Sequence, residues 1–226
     1  MTKPSETVPV SVIPLRPYRP HDMLWTDGFS SLISDDPLPS WVNEQWNASL
    51  PVIVRRDHSA KGLIPVGIRG KEKHQRAPAW IAPENVSKRI SPESLVKDRK
   101  KLLASPFADA KPVKAIVDIL ELGLPYGWGP TGSCAYALAS GRAVMHADSD
   151  LDMLIRCPES VLPEAFAPLA EKWDTLPCKT DIQIETPFGA FALKEWIREK
   201  DRRVLLKTDF GPVLTADPWN ENGNIP

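Results

Sequence analysis

The sequence predicts an α+β (α/β) protein made of two modules, a mostly β module in residues 1–80 and a mixed sheet with helices in residues 81–226. Three observations predict this class. The first module contains strand-like apolar runs and little helical periodicity. No glycine occurs between Gly70 and Gly123, where charged and amphipathic segments of helical period begin. Beyond residue 125, strand-like and helix-like segments alternate, which indicates a small sheet covered by helices.

The composition is that of an ordinary globular protein. The 226 residues carry 28 lysines and arginines against 29 aspartates and glutamates, a formal charge of −1. This balance excludes a generally basic nucleic-acid coat and an acidic tail. Hydrophobic residues make up 42% of the chain, enough for a buried core. With 24 prolines and only 12 glycines, the chain is expected to form short, interrupted helices and strands.

The cysteines indicate a reducing compartment. Cys134, Cys157 and Cys178 show no C-x-x-C spacing, so neither a disulfide framework nor a zinc knuckle is expected, and they are interpreted as packing residues. No apolar run approaches the ~18 residues of a membrane span. The N-terminus also lacks the apolar core of a secretory signal. The sequence therefore predicts a soluble cytoplasmic protein with no membrane partner.

The first module is expected to be extended and strand-rich. Residues 1–20 carry five prolines and predict an extended segment. Ser40 has the chemistry of a helix cap and predicts a short helix. Residues 52–56 and 63–69 are typical of two strands joined by a polar turn. Because Pro65 lacks an N–H, the second of these strands is expected at a sheet edge or a bulge.

The second module opens with two helices. Ser91, followed by a proline, predicts the start of a charged helix that reaches about Ala104. Another helix starts near Pro112 and ends before Gly123, because its apolar residues recur at intervals of three and four. The domain boundary is placed in the charged stretch 81–90. The later segments are predicted as a strand or turn (126–129), a helix (133–140), a strand (150–156), a helix (160–172), a strand (178–186), a helix (190–200) and two short strands (203–208 and 212–216).

Carboxylates in two of these strands predict a metal site. Asp150 and Asp152 stand two residues apart, so both side chains lie on one face of a strand. Such like charges repel unless a cation lies between them, and Mg²⁺ bound by carboxylates and phosphate oxygens is the usual solution. A later strand repeats the pattern with Asp181 and Glu185. Asp181 is favoured as the third carboxylate, because Glu185 stands at a strand end before a proline. Three such groups are able to hold two metal ions for in-line phosphoryl transfer.

A glycine-rich turn precedes these carboxylates. Gly132 and Ser133 lead directly into a predicted helix. Backbone N–H groups at such a turn bind anions, and the Ser133 hydroxyl adds a donor. The sequence thus places a phosphate-binding turn and a metal-binding strand pair in one short unit.

These motifs resemble a known superfamily and, more closely, one family. A Gly-Ser turn followed by D-x-D resembles the nucleotidyltransferase signature, although the sixteen residues between Ser133 and Asp150 exceed the usual spacing. From about residue 19 to residue 219 the chain is similar to the phosphoribosyl-dephospho-CoA transferases, the holo-acyl-carrier-protein synthases of malonate decarboxylase. The matching stretches are RPHDMLW (19–25), PVIVRR (51–56), VGIRG (66–70), QRA (75–77), WGPTGS (128–133), SDLD (149–152), DIQIETP (181–187), LKT (206–208) and DPW (217–219).

The resemblance implies a nucleotidyltransferase-like fold for the second module and a concrete reaction. The substrates would be triphosphoribosyl-dephospho-CoA and an apo acyl carrier protein, whose serine attacks the α-phosphorus while pyrophosphate leaves. The resemblance implies that Asp150 and Asp152 are catalytic and bind Mg²⁺, with Asp181 at a second metal or deprotonating the serine. The Gly132–Ser133 turn and cations such as Lys207 are expected to stabilise the leaving pyrophosphate.

A basic cluster in the first module has two interpretations. Its members are Arg55, Arg56, Arg69, Lys71, Lys73 and Arg76. The cluster binds the CoA phosphates or an acidic carrier protein, with Arg69 and Arg76 as the substrate-binding residues, or it forms a solvated hairpin rim. The balanced net charge argues against nucleic acid as a partner.

Two other function classes stay open at this point. Another member of the superfamily, one that nucleotidylates protein or RNA, would label its target with ATP alone. A non-catalytic module for the acyl carrier protein would bind it without Mg²⁺ and without Asp150 and Asp152.

Overall fold

The computed structural model describes residues 17–198 and 203–220. They form two β-sheets, one in each module, with short helices on and between them. The α+β class expected from the sequence is confirmed. The extended segment expected at 1–20 and the helix expected at 190–200 lie partly outside the described residues. Within the described ranges, no helix is both long and apolar enough to cross a membrane.

In the described residues, the first module is an antiparallel five-stranded sheet with one α-helix. Its elements are β1 (Met23–Thr26), α1 (Ser40–Gln45), β2 (Val52–Val54), β3 (Ile64–Arg69), β4 (Arg76–Ile81) and β5 (Val86–Ile90). The strand order is β4-β3-β2-β1-β5. Pro39 occupies the N-cap position of α1, so Ser40 begins this helix but does not cap it. Val42 and Trp46 pack on one face of the sheet, which also buries Leu24 because side chains alternate along a strand.

The first sheet differs from the sequence prediction in two places. β5 pairs with β1, so the sheet runs to Ile90, past the boundary expected at residue 80. Pro65 stands in β3, which is an interior strand between β2 and β4. The sheet tolerates this proline because its carbonyl accepts from the N–H of Arg55, one residue past the end of β2. The missing N–H therefore falls where the neighbouring strand has already ended.

The second module is a six-stranded mixed sheet. Its strands are β6 (Gly127–Pro130), β7 (Leu151–Arg156), β8 (Thr180–Glu185), β9 (Ala190–Ala192), β10 (Val204–Thr208) and β11 (Gly211–Thr215), and its helices are α2 (Pro92–Val96), α3 (Arg99–Leu103), α4 (Lys111–Leu120), α5 (Gly132–Ser140), α6 (Ala167–Lys172) and α7 (Leu193–Arg198). The strand order is β11-β10-β9-β8-β7-β6. Among the described neighbours only β7 and β8 are parallel. This pair brings the first residues of both strands to one edge of the sheet.

One helix expected near the module boundary is two helices. Ser91 caps α2 as expected, its hydroxyl oxygen accepting from the N–H of Ser94. The segment predicted to reach Ala104 breaks after α2, because Asp98 caps α3 by accepting from two N–H groups of its first turn. The apolar stripe of α4 is buried in the core of the second module, as the sequence predicts.

α5 joins the two sheets because it is buried on more than one side. Cys134 belongs to the core of the second sheet, whereas Ala135 belongs to a buried cluster with Met23 and Trp25 of the first sheet. The guanidinium carbon of Arg69, in β3, lies 5.3 Å from the ring centroid of Tyr136. α5 is rich in alanine, and small side chains let both sheets approach it closely. The two modules therefore meet along this helix.

A group of buried charges forms a second contact between the modules. Arg156, at the end of β7, donates through Nε to Oε1 of Glu93 at 2.6 Å, and its Nη1 lies 3.4 Å from Oε2 of Glu185. Arg56 of the first module pairs with Glu185 at 2.5 Å, and Arg19 pairs with Glu93 at 2.8 Å. Because removing charges from water is costly, each of these groups depends on its partners. The pairs fix how the modules sit relative to each other.

Candidate functional site

Three carboxylates lie at one end of the parallel strand pair. Asp152 of β7 stands directly opposite Asp181 of β8, and Asp150 precedes β7 by one residue. Burial raises the pKa of Asp152, and the charges of Asp150 and Asp181 raise it further, whereas Lys73 of the first module lowers it. The structure thus brings together the three carboxylates that the sequence singles out, and it adds a lysine from the other module.

The strand geometry gives these carboxylates different surroundings. The apolar residues that alternate with Asp152 along β7 enter the core, so Asp152 lies half-buried on the opposite face. Asp150 and Asp181 are exposed. In the part of the chain that the structure describes, no three His, Cys, Asp or Glu side chains form a group that could hold a metal ion by themselves. Asp150, Asp152 and Asp181 are therefore neighbours by strand register, but in the described part of the chain they do not form a metal-binding group of three.

Two of the carboxylates still suit a Mg²⁺ ion. This ion takes one or two carboxylates from a protein and completes its shell with water and substrate phosphates. Asp150 and Asp152 offer hard oxygen donors two residues apart. The repulsion that raises the pKa of Asp152 is the strain that a divalent cation relieves.

The glycine-rich turn lies against Asp152. The N–H of Thr131 donates to the backbone carbonyl of Asp152 at 2.7 Å. Gly132 has a φ of +59°, and a Cβ at this position would overlap Oδ2 of Asp152. No side chain caps α5, which begins at Gly132, so the N–H groups of its first turn are available to an anion. The phosphate-binding turn and the carboxylates predicted from the sequence are thus neighbours.

Gly132→Ala is expected to lower the transfer rate about 10²-fold. A displacement of about 1 Å in a catalytic group such as the Asp152 carboxylate is enough to reduce a rate by this factor. The new Cβ pushes against the carboxylate of Asp152. The measurement is kcat together with urea unfolding. Gly141→Ala is the matched control, since Gly141 has a φ of +72° at the other end of α5 and no atom within 4 Å of its Cβ. An equal rate loss in both variants would contradict the proposal that the contact between Gly132 and Asp152 matters for the transfer rate.

Cations from the first module lie beside α5. Arg69 and Arg76 stand opposite each other in the β3–β4 hairpin, and the Nε of Arg69 is buried with no partner. Burial lowers the pKa of both arginines, and the charge of Arg76 lowers that of Arg69 further. Within the described residues neither of them forms a salt bridge with a carboxylate. Two adjacent guanidinium groups in this state favour a bound anion.

The basic cluster of the sequence divides into two groups, apart from Lys71, which is exposed in the β3–β4 turn. Arg69, Lys73 and Arg76 lie near Tyr136 or the carboxylates. Arg55 lies over a tryptophan ring, 5.1 Å from its centroid, and Arg56 belongs to the charged contact between the modules. Alternation along β2 and the residues after it sends Arg55 and Arg56 in different directions, as the sequence predicts.

Glu185, the alternative third carboxylate, is not part of the site. It stands opposite Arg156, four residues along the strands from the pair of Asp152 and Asp181, or about 13 Å at the rise of a β-strand. Its carboxylate already pairs with two arginines. The parallel register therefore places Asp181, and not Glu185, beside Asp152.

Lys207, expected to bind the leaving pyrophosphate, lies at the end of the sheet that contains Glu185, away from Asp152. It is opposite Ala190 of β9, which in turn is opposite Glu185. The pKa of His21 is lowered to about 3, first by burial, then by two arginines and by Lys207, so this lysine is near the contact between the modules. The structure does not bring Lys207 to Gly132, because β10 runs antiparallel and the end of this strand is far from the turn.

Sequence reasoning missed two residues, one beside the site and one in the contact between the modules. Tyr136 lies one helical turn after Ser133 and supports Arg69. Arg156 lies four residues after Asp152 and shares its strand face. Spacing along the chain places both side chains, but their partners are distant in the sequence, so no local pattern reveals these contacts.

Comparison with known proteins identifies the family. Residues 19–92 match the model "Phosphoribosyl-dephospho-CoA transferase MdcG N-terminal domain", and residues 96–218 match "Phosphoribosyl-dephospho-CoA transferase MdcG C-terminal domain". The junction between the two matches falls within α2, directly after the first sheet ends. No solved structure matches the chain, so the nucleotidyltransferase-like fold of the second module stays a prediction.

Several curated proteins are similar over nearly their whole length. A phosphoribosyl-dephospho-CoA transferase of Klebsiella pneumoniae is 47% identical over 202 residues, which are 89% of this chain and 96% of that protein. Proteins of the same name from Pseudomonas putida and Azotobacter vinelandii are 39% and 37% identical, over 89% and 90% of this chain and 95% of each relative. The chain therefore belongs to the phosphoribosyl-dephospho-CoA transferase family.

Proposed function

We propose that this protein transfers the phosphoribosyl-dephospho-CoA group from triphosphoribosyl-dephospho-CoA to a serine of the apo acyl carrier protein of malonate decarboxylase, with release of pyrophosphate. Membership of the family supports the reaction class. The observation that carries the proposal is the contact between Asp152 and the Gly132 turn. This contact supports the proposal because transfer from a triphosphate requires a carboxylate for a metal ion next to N–H groups for the phosphates.

The chemistry is one displacement at phosphorus. The serine Oγ forms a bond to the α-phosphorus, and the bond from this phosphorus to the oxygen bridging to the β-phosphorus breaks. Pyrophosphate leaves with the electron pair. Asp181, exposed opposite Asp152, accepts the serine proton as general base. The product is a phosphodiester between the carrier serine and the ribosyl group.

The remaining residues of the site bind and orient the triphosphate. Arg69 and Arg76 contribute two guanidinium groups, and Lys73 adds a third cation close to Asp152. The first turn of α5 contributes N–H groups. Asp150 and Asp152 would hold Mg²⁺, which supplies Lewis-acid stabilisation of the phosphoryl oxygens when bound. Groups from both modules thus stabilise the negative charge of the leaving pyrophosphate.

The location is part of the same proposal. Cys134 and Cys157 are buried and Cys178 is half-buried, and each is a free thiol. This state favours a reducing compartment, and we place the reaction in the cytoplasm.

Arg69→Gln is expected to raise KM for the triphosphate substrate about 10-fold to 100-fold, the equivalent of losing one charged hydrogen bond. A smaller change is expected in kcat, because the guanidinium binds the polyphosphate in both ground and transition states. Arg55→Gln is the matched control, since Arg55, like Arg69, lies over an aromatic ring, but its ring belongs to Trp80 of the first sheet, outside the site. Equal KM values for the two variants would contradict the assignment.

The proposed function is tested by a mass-shift assay. Apo carrier protein is incubated with triphosphoribosyl-dephospho-CoA, Mg²⁺ and the purified protein, and the carrier is weighed by mass spectrometry. The expected result is a carrier heavier by one phosphoribosyl-dephospho-CoA group, together with one pyrophosphate released per carrier. No shift, or labelling from ATP alone, would overturn the proposal. Carrier binding without any shift, unaffected by removal of Mg²⁺, would instead indicate a non-catalytic binding module.

A further inference from the structure

A cavity next to Asp150 opens within the second module. Its volume is about 390 Å³, and its lining residues are Lys111, Asp148, Ser149, Asp150, Cys178 and Lys179. These residues come from the start of α4 and from the segments that precede β7 and β8. The cations assigned to the polyphosphate come from the first module instead. The cavity therefore reaches Asp150 through a different part of the surface.

The geometry of the reaction requires that the acceptor hydroxyl reach the phosphorus from the side opposite to the leaving pyrophosphate. In-line displacement at phosphorus places the attacking oxygen and the leaving oxygen on opposite sides of the reacting atom. If Arg69 and its neighbours hold the polyphosphate, the acceptor hydroxyl must reach the carboxylates from another direction. Among the lining residues of the cavity, only Asp150 belongs to the proposed catalytic group, and none binds the polyphosphate.

Lys111, which lines this cavity, belongs to a basic segment of the chain. The segment 97–114, which contains α3 and the start of α4, has two acidic residues and six exposed cations, and these cations are Lys97, Arg99, Lys100, Lys101, Lys111 and Lys114. Lys111 lies 3.9 Å from Asp148, whose side chain is 99% exposed, and such a pair in water adds little stability. Arg99 and Lys114 also form only exposed pairs. The charge of this face is thus available to a partner.

We propose that the α3–α4 face, meaning the exposed cations of 97–114 together with Lys179, docks an acidic surface on the protein that carries the acceptor serine. The serine then enters the cavity beside Asp150. This inference rests on the proposed function, because it concerns the second substrate of the same reaction. Charge complementarity of this kind steers association and sets orientation more than it adds contact area.

The closing experiment separates the two substrates. Lys101→Glu is compared with Lys61→Glu, which makes the same charge change at an exposed position of the first module. Lys111→Gln removes one of the two lysine charges that line the cavity. We expect Lys101→Glu to raise KM for the carrier protein about tenfold and to flatten the salt dependence of kcat/KM. Lys111→Gln is expected to raise the same KM, and all three variants to keep KM for triphosphoribosyl-dephospho-CoA.

Direct binding gives a readout that does not need catalysis. Calorimetry of apo carrier protein with the unreacted wild-type chain is expected to show binding that Lys101→Glu weakens and Lys61→Glu does not. Equal carrier affinity in these two variants, or a rise in KM for the triphosphate in place of the carrier, would overturn the docking assignment. Failure of the wild type to modify the carrier would overturn the proposed function, whereas normal transfer with unchanged variants would overturn the docking face alone.

Discussion

Replacing Asp152 by asparagine is expected to lower the transfer rate about 10³-fold or more while the protein stays folded, since preorganised charge of this kind contributes several kcal/mol to a transition state. Asp152 is the carboxylate that lies against the Gly132 turn and opposite Asp181. Asparagine keeps its shape but cannot supply the charge that would hold Mg²⁺. The measurement is the initial rate of carrier modification at saturating concentrations of both substrates.

The same substitution is expected to keep or raise the melting temperature. Burial and two neighbouring carboxylates raise the pKa of Asp152, which means that its charged form is disfavoured in the folded state. Asparagine removes that unfavourable charge. Asp174→Asn, at an exposed aspartate in the segment after α6, is the control and should change neither rate nor stability. A rate near that of the wild type in Asp152→Asn would remove the carboxylate from the mechanism, and a lost rate with an unfolded protein would make it structural.

Local spacing explains why much of this site could be predicted from the sequence. A strand has a period of two, so Asp150 and Asp152 had to share a face if the segment formed a strand. A helix that begins at a glycine-rich turn exposes N–H groups regardless of the rest of the fold. The positive φ of Gly132 fits the residue found there. These inferences need only neighbours in the chain.

Non-local pairing explains what could not be predicted. Asp181 and Glu185 stand at opposite ends of one strand, and only the parallel register with β7 decides which end meets Asp152. Lys207 was expected near the phosphates, yet its strand is reached through β9, and the antiparallel turns place it with Glu185. Strand order and direction depend on the whole sheet, so no short pattern contains them.

Contacts between the modules could not be predicted from the sequence either. Arg56 looked like one member of a surface basic cluster, but it closes a buried ion pair with Glu185. Lys73 lies in a polar turn, yet its charge acts on Asp152 across the boundary. The site thus depends on a fixed relation between two sheets. Because the buried charges around Arg156 fix the position of one module on the other, we expect them to affect activity as well as stability.

Arg156→Met is expected to lower the free energy of unfolding by about 3 kcal/mol, because Glu93 and Glu185 each lose one of their two arginine partners in a buried setting. Arg156 contacts both Glu93 and Glu185, and all three side chains are at most 15% exposed. Methionine fills much of the volume, so lost charge compensation dominates the effect. Urea unfolding at pH 7 measures it. Arg99→Met removes an exposed arginine 3.8 Å from Glu121 and should cost under about 1 kcal/mol.

The pH dependence separates lost charge from lost packing in this variant. Burial alone would raise the pKa of Glu93, but the charge of Arg156, hydrogen bonds and the charge of Arg19 lower it from 4.5 to about 2. Because the pKa of Glu93 is lower in the folded state than in the unfolded state, its charge stabilises the fold at pH values above the unfolded-state pKa. The contribution is about 3 kcal/mol. That contribution is lost as the pH falls from about 4.5 through 2. The deficit of Arg156→Met relative to wild type should therefore shrink between pH 7 and pH 3, whereas a deficit independent of pH would mean that packing, and not charge, joins the two modules.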